Sequence, residues 1–99
     1  MMVVLPASMD VTSTQFTLLQ GIAAHPDEPS INELNRAFPS LELRTIREKL
    51  QQLGKKGYIE IDTDSDIRRY RLVENHTDIQ ESDFLDAKET LQHYFSRTE

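Results

Sequence analysis

The sequence contains no cysteine and no tryptophan, only three glycines and four prolines in 99 residues, and no long apolar run. Without cysteine there is no disulfide, thiolate metal ligand or thiol nucleophile, so the fold does not depend on an oxidising compartment and a cytoplasmic setting is expected. No stretch approaches the ~20 apolar residues of a membrane-spanning helix. Residues 1–7 are too short for the core of a signal peptide and have no charged side chain ahead of them. Scarce glycine and proline exclude a low-complexity chain, and 37% hydrophobic residues exclude wholesale disorder. Basic side chains are also in the minority, 11 against 17 acidic, for a net charge of −6. What is left is one small soluble domain, able to bury roughly 60 to 65% of the surface its unfolded chain exposes and too small for a separate cofactor domain.

Helix starts are clearly marked. Thr12-Ser13-Thr14-Gln15 fits a capping box, and Phe16, Leu19, Ile22 and Ala23 follow at helical spacing, with Leu18 beside them. A first helix is predicted from about Ser13 to Ala24, ended by His25-Pro26-Asp27-Glu28-Pro29. Ser30-Ile31-Asn32-Glu33 is a second capping box, opening a two-turn helix with Ile31, Leu34, Ala37 and Phe38 on one stripe. After Pro39, Ser40 is the expected N-cap of a third helix carrying Leu43, Ile46, Leu50 and Leu53 inward, closed by Gly54 or Gly57. From Tyr58 the period falls to two. Ile59 and Ile61, then Tyr70 and Leu72, alternate with charged residues around a polar loop, which predicts an antiparallel hairpin. A polar stretch over residues 74–81 reads as a linker, and a last helix is expected within residues 82–97.

The fold class expected is therefore α+β. Helix, short helix, tight connection at Pro39-Ser40, longer helix and hairpin is the order of a winged helix-turn-helix over residues 12–73, with an extra C-terminal helix. Phe16, Leu19, Ile22, Leu34, Phe38, Ile46, Leu50 and Leu53 should share one core, closed from the sheet by Ile59, Ile61 and Leu72.

Pro29-Ser30-Ile31-Asn32-Glu33-Leu34, Thr45-Ile46-Arg47-Glu48 and the run from Leu50 through Lys56-Gly57-Tyr58-Ile59-Glu60-Ile61 resemble winged-helix regulators, in particular the N-terminal domain of LexA-type repressors. The terminal Lys-Gly-Tyr-Ile pattern is shared with the MarR and PadR families. The resemblance covers about three-fifths of the chain and implies a homodimeric, sequence-specific transcription regulator. In it the helix from Leu41 to Leu53 enters the major groove of double-stranded DNA and the hairpin lies along the neighbouring backbone.

At 100° per residue, the face opposite Leu43, Ile46, Leu50 and Leu53 holds Arg44, Thr45, Glu48, Gln51, Gln52 and Lys55, with Arg47 at its edge. Arg44, Thr45, Arg47, Glu48 and Gln51 are the candidate base contacts, Arg44 suiting guanine, Glu48 cytosine and Thr45 a thymine methyl. Leu41 either meets a thymine methyl or packs under the turn. An ordinary solvated helix face with an Arg44–Glu48 pair is the competing reading of these residues. Ser40, Lys55, Lys56, Arg69 and Arg71 are the candidate phosphate contacts.

A net charge of −6 opposes DNA binding, but its distribution does not. Residues 1–39 carry −3 and residues 74–99 carry −5, whereas residues 40–73 carry eight basic groups against six acidic. Arg44, Arg47, Lys49, Lys55, Lys56, Arg68, Arg69 and Arg71 are expected to gather into one continuous patch. Asp62, Asp64 and Asp66 at the hairpin tip would be repelled by a phosphate track. The competing reading of Arg69 and Arg71 is a solvated strand face paired to Glu60 and Asp62.

No catalytic constellation is present: the chain has no glycine-rich phosphate loop and no nucleophile elbow, so no enzyme activity is expected. Residues 62–66 open like a calcium loop, but the sixth position is Ile67 and the twelfth Val73. His25, His76 and His93 lack paired ligand spacing and read as surface or helix-end residues, so neither metal nor cofactor is expected. Phe84, Ala87, Leu91, Tyr94 and Phe95 form an apolar stripe on the last helix, the expected dimer interface; the alternative is that this helix folds back on the first. The rival function is an acidic winged-helix interaction module that grips a basic protein partner and does not bind DNA.

Overall fold

A computed structural model of the chain describes residues 11–64, 66–73 and 84–96, with side chains of 92–96 excluded. Among these residues the protein is α+β, with four helices and one two-stranded antiparallel hairpin: α1 (Ser13–Ala24), α2 (Ile31–Ala37), α3 (Leu43–Lys56), β1 (Ile59–Asp62), β2 (Arg69–Leu72) and α4 (Leu85–Ser96). No helix among them is long and apolar enough to cross a membrane.

Both predicted capping boxes form. Thr12 Oγ1 accepts from the Gln15 N–H while Gln15 Oε1 accepts from the Thr12 N–H, and Ser30 and Glu33 do the same at α2. These reciprocal bonds satisfy donors that a helix start leaves orphaned. At the other end of α3, Gly57 adopts φ 84°, left-handed backbone that ends the helix and aims the chain into β1.

α3 starts later than its sequence suggests. Ser40 is not its N-cap; Glu42 is, with no side-chain capping bond. The Leu41 N–H closes a turn onto the Phe38 carbonyl (3.0 Å), and Asn35 Nδ2 donates to the Leu41 carbonyl (2.7 Å). Leu41 thereby packs against the core. Its burial outweighs the hydroxyl cap that Ser40 would have supplied. The shift leaves Leu43, expected inside, 42% exposed in the first turn of α3.

α1 is the central element, touching α2, α3, β2 and α4, and it buries Phe16, Leu18, Leu19, Ile22 and Ala24 on more than one face. Leu34, Ile46, Leu50 and Leu53 complete the helical core. The hairpin pairs Ile59 with Leu72, Glu60 with Arg71, Ile61 with Tyr70 and Asp62 with Arg69. It closes the core with Tyr58, Ile59 and Tyr70, and Leu72 packs partly against it. Ile61, expected in that set, is 40% exposed because it lies toward the loop end of the hairpin, opposite Tyr70. A contact not anticipated ties the hairpin down: the Tyr70 N–H donates to the Pro29 carbonyl (3.0 Å), and Ser30 bridges to Arg69.

The last helix folds back. Phe84 and Ala87 are buried in the same core, with the Phe84 ring centroid 5.7 Å from that of Phe16. The expectation that Phe84 and Ala87 form a dimer face is therefore corrected: α1 covers them within one chain. Leu91 is half-buried, while the side chains of Tyr94 and Phe95, and the linker over residues 74–81, lie outside the described residues.

Candidate nucleic-acid interface

α3 turns Ile46, Leu50 and Leu53 inward, which fixes what its other faces present. Arg44, Glu48, Gln51 and Lys55 run along the outermost line of the helix and are exposed, with exposed Arg47 on the adjoining flank. Thr45 is half-buried on the opposite flank. Among the described residues none of the side chains of Arg44, Arg47, Glu48, Gln51 and Lys55 has a hydrogen-bond or ion-pair partner, so the ordinary Arg44–Glu48 pair does not form. Between α3 and β1 runs an open groove of about 560 Å³ lined by Gln51, Gly54, Lys55, Ile59 and Ile61. Ser40 is exposed in the turn ahead of α3.

The two arginines of β2 have a different fate. Arg69 donates from Nη1 to the Glu28 carbonyl (3.0 Å) and to Glu33 Oε1 (3.2 Å). Arg71 grips its cross-strand partner Glu60 through Nη2 (2.6 Å) and Nε (3.2 Å), and faces buried Glu28 Oε1 at 3.7 Å. The Glu60 hydrogen bond and charge hold the Arg71 guanidinium above its ordinary pKa. The eight cations of residues 40–73 thus do not form one continuous patch. Two of them face carboxylates: Arg69 meets Glu33 in the first turn of α2, and Arg71 meets Glu60 across the hairpin and Glu28 of the loop between α1 and α2.

Glu33 is the hub of that junction. Its Oε1 accepts from the Ser30 N–H and Arg69, while Oε2 lies 2.7 Å from His25 Nε2. The Asp27 N–H donates to His25 Nδ1 (3.0 Å), which leaves the ring proton on Nε2, facing Glu33. Burial alone would raise the Glu33 pKa; the His25 and Ser30 hydrogen bonds and the charge of Arg69 outweigh it and hold the carboxyl below its ordinary value. The His25 side chain is only 8% exposed, so it is a helix-end residue but not a surface one.

A parallel junction joins α1 to α3. Gln15, 3% exposed, donates from Nε2 to Gln52 Oε1 (2.7 Å) and accepts at Oε1 from Lys56 Nζ (3.3 Å). Lys56 is therefore held on the α1 side of α3, while Lys55 borders the hairpin groove. Sequence reasoning placed Gln15 and Glu33 correctly as capping residues and missed these tertiary roles. The available signal was chemical: each has a second polar atom that its capping box does not use.

Comparison with known protein families finds no family model that matches the chain, and comparison with curated proteins finds no match.

Proposed function

We propose that the chain is a winged helix-turn-helix DNA-binding domain of a transcription regulator, with α3 as the element that enters the major groove. The observation that carries this reading is the outer line of α3, where Arg44, Gln51 and Lys55, with Arg47 beside them, stand exposed and unspent on internal ion pairs among the described residues. At 14 residues α3 spans roughly 21 Å, and an α-helix fits the major groove, roughly 12 Å wide. Arg44 is placed to take guanine O6 and N7, Glu48 to accept from cytosine N4, Gln51 to pair with adenine, and Arg47 and Thr45 to read from the two flanks. Lys55 and Ser40 serve phosphates. Arg69 and Arg71 drop out of the phosphate set because carboxylates hold them.

The test is a fluorescence titration of a labelled random duplex at two salt concentrations. Binding that weakens steeply with salt and disappears in a folded Arg44→Ala plus Arg47→Ala variant supports the reading. The absence of binding at low salt favours the acidic module that grips a basic protein, a rival supported by the neutralised β2 arginines and by exposed Asp64 and Asp66 at the hairpin tip. A regulator that reads two half-sites acts as a homodimer, and with Phe84 and Ala87 enclosed such a dimer requires another surface. Light scattering at high protein concentration reports it directly.

A further inference from the structure

The hydrogen bonds around Gln15 have a direction, and that direction propagates to the surface. Gln15 Oε1 is approached by two groups that can only donate, the backbone N–H of Thr12 (3.0 Å) and the ammonium of Lys56 (3.3 Å). The amide therefore cannot be turned round without setting its –NH2 against both donors. With Oε1 fixed, Nε2 must face Gln52, and the group it meets must be an acceptor. That acceptor is Gln52 Oε1, at 2.7 Å. A planar amide whose oxygen is held on one side presents its –NH2 on the other.

We infer that Gln15 is a positioning residue that locks the Gln52 amide with its donors outward, making the α1 flank of α3 a surface for hydrogen-bond acceptors. This rests on the DNA-binding reading and deepens it. A glutamine free to rotate offers both a donor and an acceptor and can grip adenine through both at once. Gln52, its oxygen already committed to Gln15, cannot do that. It donates instead to an oxygen acceptor, either a phosphate oxygen or an acceptor on a base edge.

The capping box alone does not require this arrangement. Glutamate at position 15 would cap α1 equally well, since only the acceptor oxygen takes part. A carboxylate, however, has no proton for Gln52 Oε1. The Gln52 amide would then turn over to donate to it, and its oxygen would face outward. Gln15→Glu thus preserves the cap while reversing the polarity of the flank.

Two measurements test the inference. In the free wild-type protein, side-chain amide hydrogen exchange followed by NMR should find the Gln15 –NH2 protected and the Gln52 –NH2 fast, with the latter slowing when random duplex is added. The opposite pattern in the free protein overturns the lock, whether or not DNA binds. In duplex titrations, Gln52→Ala and Gln15→Glu should each weaken binding by about fivefold, the net worth of one hydrogen bond. The double variant should be no weaker than Gln52→Ala alone. Additive losses, or a Gln15→Glu protein that binds like wild type, overturn it. An equal loss on every duplex sequence assigns the acceptor to phosphate, and a sequence-dependent loss assigns it to a base. If wild type fails to bind duplex while the exchange pattern holds, the DNA-binding reading falls and the amide lock stands.

Discussion

Gly21→Ala provides the sharpest test of how the central helix packs. A Cβ at Gly21 would lie 2.6 Å from Phe38 Cε2, 3.1 Å from Phe38 Cζ and 3.1 Å from Leu34 Cδ2. Ordinary carbon contacts begin near ~3.5 Å, so the Phe38 ring must retreat by nearly an ångström. Its retreat is opposed on two sides, since Phe38 packs against the core at the end of α2 and Leu34 is fully buried. Overpacking of this kind costs about 1 to 3 kcal/mol. Alanine's better helix propensity offsets about 1 kcal/mol of this, leaving a net destabilisation of up to about 2 kcal/mol. Gly54→Ala, in the same helical conformation, is the control: a Cβ there meets nothing within 4 Å, and the change should stabilise by about 0.5 to 1 kcal/mol. In a domain of this size about 1 kcal/mol moves the melting temperature by roughly 4 to 8 °C. Thermal melts followed by far-UV circular dichroism should therefore shift down by as much as roughly 10 °C for Gly21→Ala and up by a few degrees for Gly54→Ala. Phe38→Leu should recover part of the Gly21→Ala loss, a non-additivity expected only of residues in contact. Two alanine variants that are stabilised alike would refute the close approach of α1 to α2.

Other consequences are equally direct. Because the folded-state pKa of Glu33 lies below its ordinary value of 4.5, its contribution to stability is present above that value and is lost as pH falls through the lower folded value. Urea melts between neutral pH and pH 3 should accordingly lose less stability in Glu33→Gln than in wild type, and an unchanged slope would contradict the His25–Glu33–Arg69 junction. Arg71→Ala should leave duplex affinity within about twofold and leave its salt slope unchanged, whereas Lys55→Ala should reduce the slope by about 0.9, the increment for one phosphate contact. Phe84→Ala should cost about 3 to 5 kcal/mol of unfolding free energy, as for any large core truncation. That loss should appear in denaturant melts at every protein concentration, whereas a concentration-dependent loss would restore the stripe to an interface.

Much of the secondary structure was legible because its causes are local. Thr12 and Gln15, or Ser30 and Glu33, are three residues apart, and their mutual capping is decided within one helical turn. The spacing of Ile46, Leu50 and Leu53, and the change of period at Tyr58, likewise reflect repeats that a short window contains. Where local signals competed with burial they misled. Ser40 is a good cap by type, but Leu41 behind it found the core, and α3 began at Leu43 instead. Ile61 has the same alternation as Ile59, yet alternation selects a face of the sheet and not the length of that face which the helices cover.

The order of elements, the two capping boxes and the outward line of α3 follow from local pattern, because each depends on neighbours within a turn or two. Which charges that line could count on was a matter of long-range packing. Arg69 is held by Glu33 and the Glu28 carbonyl, and Gln15 by Gln52 and Lys56, across 36 to 41 residues of chain. Cations that add as a sum along the sequence are divided in space by whichever carboxylates the fold sets beside them, and a helix with an apolar stripe goes to whichever surface, its own domain's or a partner's, lies within reach.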